Sequence, residues 1–287
     1  MCIRDRHWFV QWRGRAVVVA ASGNYLAGVV WPLLIEAGEP RLGWRGVCLA
    51  IAAVVALGAA PIAYAMRHRP SEASMRRAEA ASQQARADIG VSPRTLVALL
   101  VCAGFSCCVA MSMPQVHLVA YCGDLGYGVA VGAQMLSLML GLGIVSRLAS
   151  GALADRIGPG LTLALGSFMQ GLALLLYTSF NGLMSLYVVS AVFGLFQGGI
   201  VPMYALICRE LLPPRQAGAM IGFVVAATTF GMAFGGYVSG LIFDLTGSYR
   251  AAFLNGVAWN ALNFAIVGWL LWRRRRAGSL GVGAAPA

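Results

Sequence analysis

The chain has 287 residues, of which 59% are hydrophobic and 11% charged, with a formal net charge of +11 and a mean hydropathy of +0.75. Soluble domains carry about 25% charged residues, so this composition excludes an ordinary soluble domain and indicates an integral membrane protein. The basic excess is made of 21 arginines and no lysine. They sit between apolar runs rather than on one soluble face, which argues against nucleic acid and leaves membrane lipid as the surface they meet.

In chain order, residues 1–6 do not read as the start of a membrane span, and we expect them to be a remnant foreign to the fold. No cleavable signal peptide is evident. A membrane-crossing helix needs about 20 mostly apolar residues. Eight such runs are expected, near 16–35, 46–66, 95–118, 128–150, 159–179, 184–207, 217–240 and 251–272. They are too long for barrel strands, and backbone groups in lipid must be satisfied internally, so the expected fold is an all-α membrane protein. Residues 67–94 differ in kind, being polar, charged and rich in alanine and serine. We expect a partly helical cytoplasmic linker there. It separates two spans (1–66) from a six-span bundle (95–273), with a tail at 274–287. A six-span bundle behind a long polar loop is the pattern of the second half of a twelve-span transporter, so four further spans are expected ahead of this chain's first.

Eight spans put both termini on one side. With Arg147, that side holds 18 of the 21 arginines, against Arg41, Arg45 and Arg250 opposite. Positive residues mark the cytoplasmic face, so both termini are expected in the cytoplasm of a multi-pass protein of the plasma (inner) membrane. Five glycine pairs at i,i+4 are spaced for close helix packing: Gly128/Gly132, Gly194/Gly198, Gly218/Gly222, Gly231/Gly235 and Gly236/Gly240. Pro32, Pro61, Pro114 and Pro202 within spans each remove a backbone donor and permit a bend. The seven cysteines form no CxxC pair and the three histidines are far apart, so neither a disulfide framework nor a metal site is indicated.

The most informative stretch is residues 141–160, GLGIVSRLASGALADRIGPG. Arg147 stands eight residues before Asp155 in an apolar helix, roughly 12 Å inside its end at about 1.5 Å per residue. A charge at that depth is costly in hydrocarbon and is expected to face the protein interior or a water-filled cavity. A guanidinium stays charged and offers a planar fork to a carboxylate. Snorkelling to the membrane face, or pairing with Asp155, are the alternatives. Other intramembrane polar residues are candidate cavity contacts or interhelical hydrogen-bond partners: Asn24 and Tyr25 in the first span, His117 in the third, Gln197 and Tyr204 in the sixth, Thr228 and Thr229 in the seventh. His117 shares a helical stripe with Ser106, Ala110 and Met113, and because histidine as a residue type can take up or release a proton under physiological conditions it is a candidate for contact with substrate or a coupled proton.

The segment Gly151-Ala-Leu-Ala-Asp155-Arg156-Ile-Gly158 resembles the G-x-L-x-D-R-x-G signature of the major facilitator superfamily. Trp8-Phe9 with Arg13-Gly14-Arg15-Ala16 resembles the start of the fifth family helix, with Trp12 where an arginine is usual. Gly43-Trp44-Arg45 resembles the outer start of the sixth. Gln115-Val116-His117-Leu118 with Asp124-Leu125-Gly126 resembles the end of the seventh. The run from Phe243 to Tyr249 (FDLTGSY), with Ala252-Phe253, resembles the turn between the eleventh and twelfth. Together they are similar to the monocarboxylate-porter and oxalate/formate-antiporter branch. The resemblance implies that the eight spans match family helices 5–12 of a twelve-helix fold. It implies further that Arg147 binds a substrate carboxylate, and that Gly151, Asp155, Arg156 and Gly158 form a cytoplasmic gate.

Branch members that bind oxalate use a second cation in the eleventh family helix. The corresponding span here, 217–240, has none, which favours a monocarboxylate. The resemblance thus implies a secondary transporter of small organic anions, proton-coupled or exchanging, without a cofactor. A nucleotide-binding GxxxxGK[ST] loop is absent from the sequence, as is any catalytic cluster. Efflux of other solutes, or a non-transporting receptor on the same fold, are the competing readings.

Overall fold

The computed structural model of the chain describes residues 13–65, 72–87 and 89–281. Within these residues the chain is helical from end to end: α1 (Arg13–Ala65), α2 (Glu72–Ala87), α3 (Pro93–Asp124), α4 (Val129–Ile157), α5 (Pro159–Ser179), α6 (Leu183–Gln197), α7 (Ile200–Leu211), α8 (Pro214–Thr246) and α9 (Tyr249–Gly281). Helix boundaries follow local chemistry. Ser92 caps α3, its hydroxyl accepting the Thr95 N–H at 3.2 Å, and Pro93 takes the first-turn position where a missing N–H costs nothing. The sharp turn from α4 into α5 is set by Gly158, whose φ of 86° favours glycine, followed by Pro159 at the first position of α5.

Seven helices among the described residues are long and apolar enough to cross a membrane, against the eight expected from the sequence. The difference lies at the amino end. Residues 13–65 form two helical arms joined at a kink at Gly43 (φ 65°, ψ 166°), where the sequence suggests a loop between two spans. The chain folds back at this break: Val47 Cγ2 lies 3.2 Å from where a Cβ on Gly38 would stand. A straight helix would hold positions nine apart at roughly 13 Å. The arm containing 16–35 is not among the seven. The polar segment carries α2, with an exposed Arg76–Glu72 pair at 3.7 Å along one face, packed against α7 and α8.

The core is organised by α3, which packs against α8, α9 and α4; α5 packs on α9, and α4 on α6 and α1. Two of the five glycine pairs carry close helix contacts. A Cβ on Gly194 or Gly198 would stand 2.3 Å from Met139 O or 2.1 Å from Gly143 O, so α6 lies backbone to backbone on α4. Gly231 and Gly235 do the same for α8 against Phe105 and Val109 of α3. Gly132 packs on Val119 while Gly128 ends the preceding turn with φ 90°, and Gly236 and Gly240 make ordinary contacts to Val116 and His117. Gly218 and Gly222 meet nothing within 4 Å. Large apolar side chains such as Leu165, Phe168, Phe223 and Phe230 stand outward, a surface suited to lipid rather than water.

At the end of the bundle away from the α4–α5 turn, two of the sequence motifs meet. The Tyr249 hydroxyl donates to Asp124 Oδ2 at 2.7 Å, and the Phe243 and Tyr249 rings stack at 4.1 Å. The hydroxyls of Tyr121 and Tyr127 both reach Asn181, through its side chain and its carbonyl. Asp244 and Arg250 flank this turn.

Candidate functional site

Arg147 lies on α4, ten residues from its end, and only 5% of it is exposed. Its Nε donates to the Gly198 carbonyl at 2.9 Å. One terminal nitrogen donates to the Ala21 carbonyl at 2.7 Å. Gly198 sits between α6 and α7, and its carbonyl lacks the regular intrahelical donor because the residue four positions on, Pro202, has no N–H. The guanidinium therefore joins three elements: α4, the α6–α7 break, and α1. A charge buried this far is tolerable only with such partners.

Asp155 stands eight residues further along α4 and also reaches α1. Its Oδ2 accepts the backbone N–H of Arg15 at 3.3 Å. Arg15 is in the first turn of α1, where N–H groups have no intrahelical acceptor and the helix dipole presents its positive end. The two contacts have one geometry: the deeper Arg147 meets Ala21 and the terminal Asp155 meets Arg15, so α1 and α4 run antiparallel. Arg156 beside it is exposed, Gly151 is buried in α4, and Gly158 makes the turn.

Gln197, the last residue of α6, is 1% exposed. Its Oε1 accepts from the Gln115 side chain on α3. Its own Nε2 has no partner among the described residues. Since Gln197 precedes Gly198 in the chain, the Gln115–Gln197 pair and Arg147 gather at the same helix break.

The remaining candidates lie elsewhere. His117 is two residues past Gln115, on the opposite face of α3, and its Nε2 bonds to the Gly236 carbonyl of α8 at 2.9 Å. Thr228 donates to Val225 O of its own helix and turns its methyl toward Gly104 of α3. Thr229 is exposed and donates to the same carbonyl. Tyr204 is 1% exposed and belongs to a separate polar core. Its hydroxyl lies 2.6 Å from Asn263 Oδ1 and 3.2 Å from Ala103 O. Asn263 in turn donates to Ser167 Oγ, and Asn260 to Ser167 O. Gln170 donates to Cys107 O nearby. Twelve residues of α3, roughly 18 Å, separate Ala103 from Gln115, so Tyr204 and Gln197 do not share one site. Asn24 and Tyr25 fall on α1, but their side chains lie outside the described residues.

Sequence reasoning missed Gln115 as a partner and missed the Ser167, Gln170, Asn260, Asn263 network. The signal was present: both pairs stand at i,i+3 inside apolar spans, a spacing that puts them on one helix face.

An all-helical membrane bundle, a buried arginine at a helix break and a charged turn after it define a solute-transporter fold. The sequence matches the family model of the Major Facilitator Superfamily over residues 6–185 and again over 162–285, and the chain belongs to that family. It is 31% identical over 144 residues to monocarboxylate transporter 13 of Rattus norvegicus, covering 50% of this chain and 34% of that protein. It is 23% identical over 237 residues to the agnestins efflux protein AgnL12 of Paecilomyces divaricatus, covering 82% of this chain and 53% of the other. The chain thus spans between a third and about half of these relatives. Their names describe transporters, not enzymes. The fold matches the crystal structure of the Major Facilitator Superfamily transporter FucP in its outward conformation, with a TM-score of 0.64 and 16% identity, over 91% of this chain and 69% of that one.

Proposed function

We propose that the protein is a secondary active transporter of small organic anions, monocarboxylates foremost, working by alternating access through proton coupling or exchange. The observation that carries the reading is Arg147, a guanidinium buried at membrane depth that donates to the backbone carbonyls of Gly198 and Ala21. A carboxylate offers the guanidinium a full opposite charge and a two-oxygen fork that single carbonyls lack, so an incoming carboxylate is a better acceptor than the carbonyls of Gly198 and Ala21. Exchange of acceptors would release α1 from α4 at its deep contact. Gln197, with its spare N–H donors one residue away from Gly198, supplies a neutral second donor to the same anion. Asp155 at the first turn of α1 holds the outer contact of the pair of helices, which is the gating role proposed for the Gly151, Asp155, Arg156, Gly158 segment. In this reading Tyr204 and Thr228 support the helices rather than touch substrate, and His117 lines the α3–α8 interface.

The test uses the intact protein in proteoliposomes with labelled lactate, pyruvate, formate and oxalate. Arg147→Gln is expected to lower substrate affinity about 10- to 100-fold, the equivalent of ~1.5–3 kcal/mol for a hydrogen bond to a charged group. Arg147→Lys keeps the charge without the fork and should recover part of the loss. Transport of oxalate alone would defeat the monocarboxylate assignment. Because the efflux relative matches 82% of the chain, efflux of a drug or another solute is the second reading. It requires that the small acids fail as substrates while Arg147→Gln still abolishes export.

A further inference from the structure

We propose that the cleft between the α4–α5 turn, the end of α7 and the arginine run of α9 binds the phosphate headgroup of an anionic phospholipid. This goes beyond the transport reading and depends only on the chain being embedded in a membrane. The cleft is open on one side and about 310 Å³ in volume. Its walls divide by chemistry. Ile157, Leu161 and Leu271 form an apolar side, while Glu210, Arg274 and Arg275 form a charged one.

The charged side is built for an anion despite the carboxylate in it. Arg274 donates to Glu210 Oε1 at 2.6 Å, which fixes the guanidinium and neutralises Glu210. A guanidinium has five N–H donors, so most of them stay available. Arg275 lines the same cleft, is exposed, and has no hydrogen bond or ion pair among the described residues. On the flanks, Arg273 lies over the Trp269 ring at 5.0 Å and Arg276 over the Trp272 ring at 4.0 Å. Two arginines against one glutamate leave the cleft with a net positive charge.

The position selects a lipid over a soluble phosphate. Both apolar helices that frame the cleft, α5 and α9, are long enough to cross a membrane. The arginines fall at the end of the α9 span, beside tryptophans, where aromatic residues mark the membrane–water boundary. Ile157 and Leu161 are 43% and 38% exposed, an apolar wall that a free phosphate has no use for and that an acyl chain covers. Basic pockets between helices at a membrane face suit anionic headgroups on these grounds.

The experiment is native mass spectrometry of the intact protein released from detergent micelles, with phosphatidylglycerol, phosphatidylcholine and inorganic phosphate as probes. Phosphatidylglycerol should remain bound when phosphatidylcholine is lost. Arg274→Gln with Arg275→Gln should cut the bound fraction about fivefold or more, since two charged contacts go. Arg275→Gln alone, at an exposed side chain, leaves folding intact and should give a smaller cut in the same direction. Leu161→Trp fills the apolar wall without touching charge and should also reduce binding, whereas Arg250→Gln at the opposite end should not. The proposal falls if phosphatidylcholine is retained equally, if the arginine variants keep the lipid, or if Leu161→Trp binds as the unaltered protein does, which would mean charge attraction without a site. Displacement by excess inorganic phosphate would overturn the assignment to lipid.

Discussion

Arg147 and Asp155, two charged residues on one helix, do different work in different settings. Both contact α1, yet the arginine is buried among carbonyls while the aspartate sits at an exposed helix start. If Asp155 caps α1, Asp155→Ala should speed hydrogen exchange of the first-turn amides of α1 about fivefold, following the ~1 kcal/mol typical of an N-terminal cap. Arg156→Gln serves as the comparison and should leave those amides unchanged. Equal exchange in Asp155→Ala and the unaltered protein would remove the capping role. Tyr204 poses a sharper question, because the sequence marks it as a cavity contact and the structure ties it to Asn263 at 2.6 Å. Tyr204→Phe strands buried acceptors and should cost ~1–3 kcal/mol of stability. Transport KM should stay within about twofold, because truncating a residue that does not touch substrate leaves binding in place. A tenfold rise in KM with unchanged thermal stability would return Tyr204 to the substrate site.

Among the helices, the glycine spacing alone does not say which pairs are contacts. Gly194/Gly198 and Gly218/Gly222 have the same sequence form and opposite surroundings: a Cβ on Gly198 would stand 2.1 Å from a backbone oxygen of α4, and one on Gly218 meets nothing within 4 Å. Gly198→Ala must therefore push α6 from α4 and shift the carbonyl that Arg147 uses. The expected result is a loss of several degrees in melting temperature, in line with ~1–3 kcal/mol for overpacking, together with loss of transport. Gly218→Ala should be neutral or slightly stabilising, since alanine is the better helix former. If the two variants melt alike, the close approach of α6 and α4 is wrong. The break between α6 and α7 has the same lesson. The sequence reads 184–207 as one span, and within it Pro202, four residues after Gly198, has no N–H to give the Gly198 carbonyl, which leaves that carbonyl for Arg147.

For the molecule as a whole, hydropathy and charge were enough to establish a helical membrane protein, because hydrocarbon forbids unsatisfied backbone and admits few charges. The G-x-L-x-D-R-x-G segment with its arginine eight residues earlier was enough to point to the superfamily that the family match then showed. The expected spans 16–35 and 46–66 fall on the two arms of α1 either side of Gly43, and the second arm is among the seven membrane-length helices found in the described residues. Arg147 was legible as a buried charge for a simple reason: its depth follows from counting residues along one helix. What it touches was not, because Ala21 and Gly198 are 126 and 51 residues away. The same holds for the split between Gln197 at the helix break and Tyr204 in the Asn263–Ser167 core, and for Arg274 meeting Glu210 across the cleft. Period, depth and net charge are properties of one chain segment and its solvent. Which polar group finds which partner depends on how separate helices pack, and only the tertiary structure decides that.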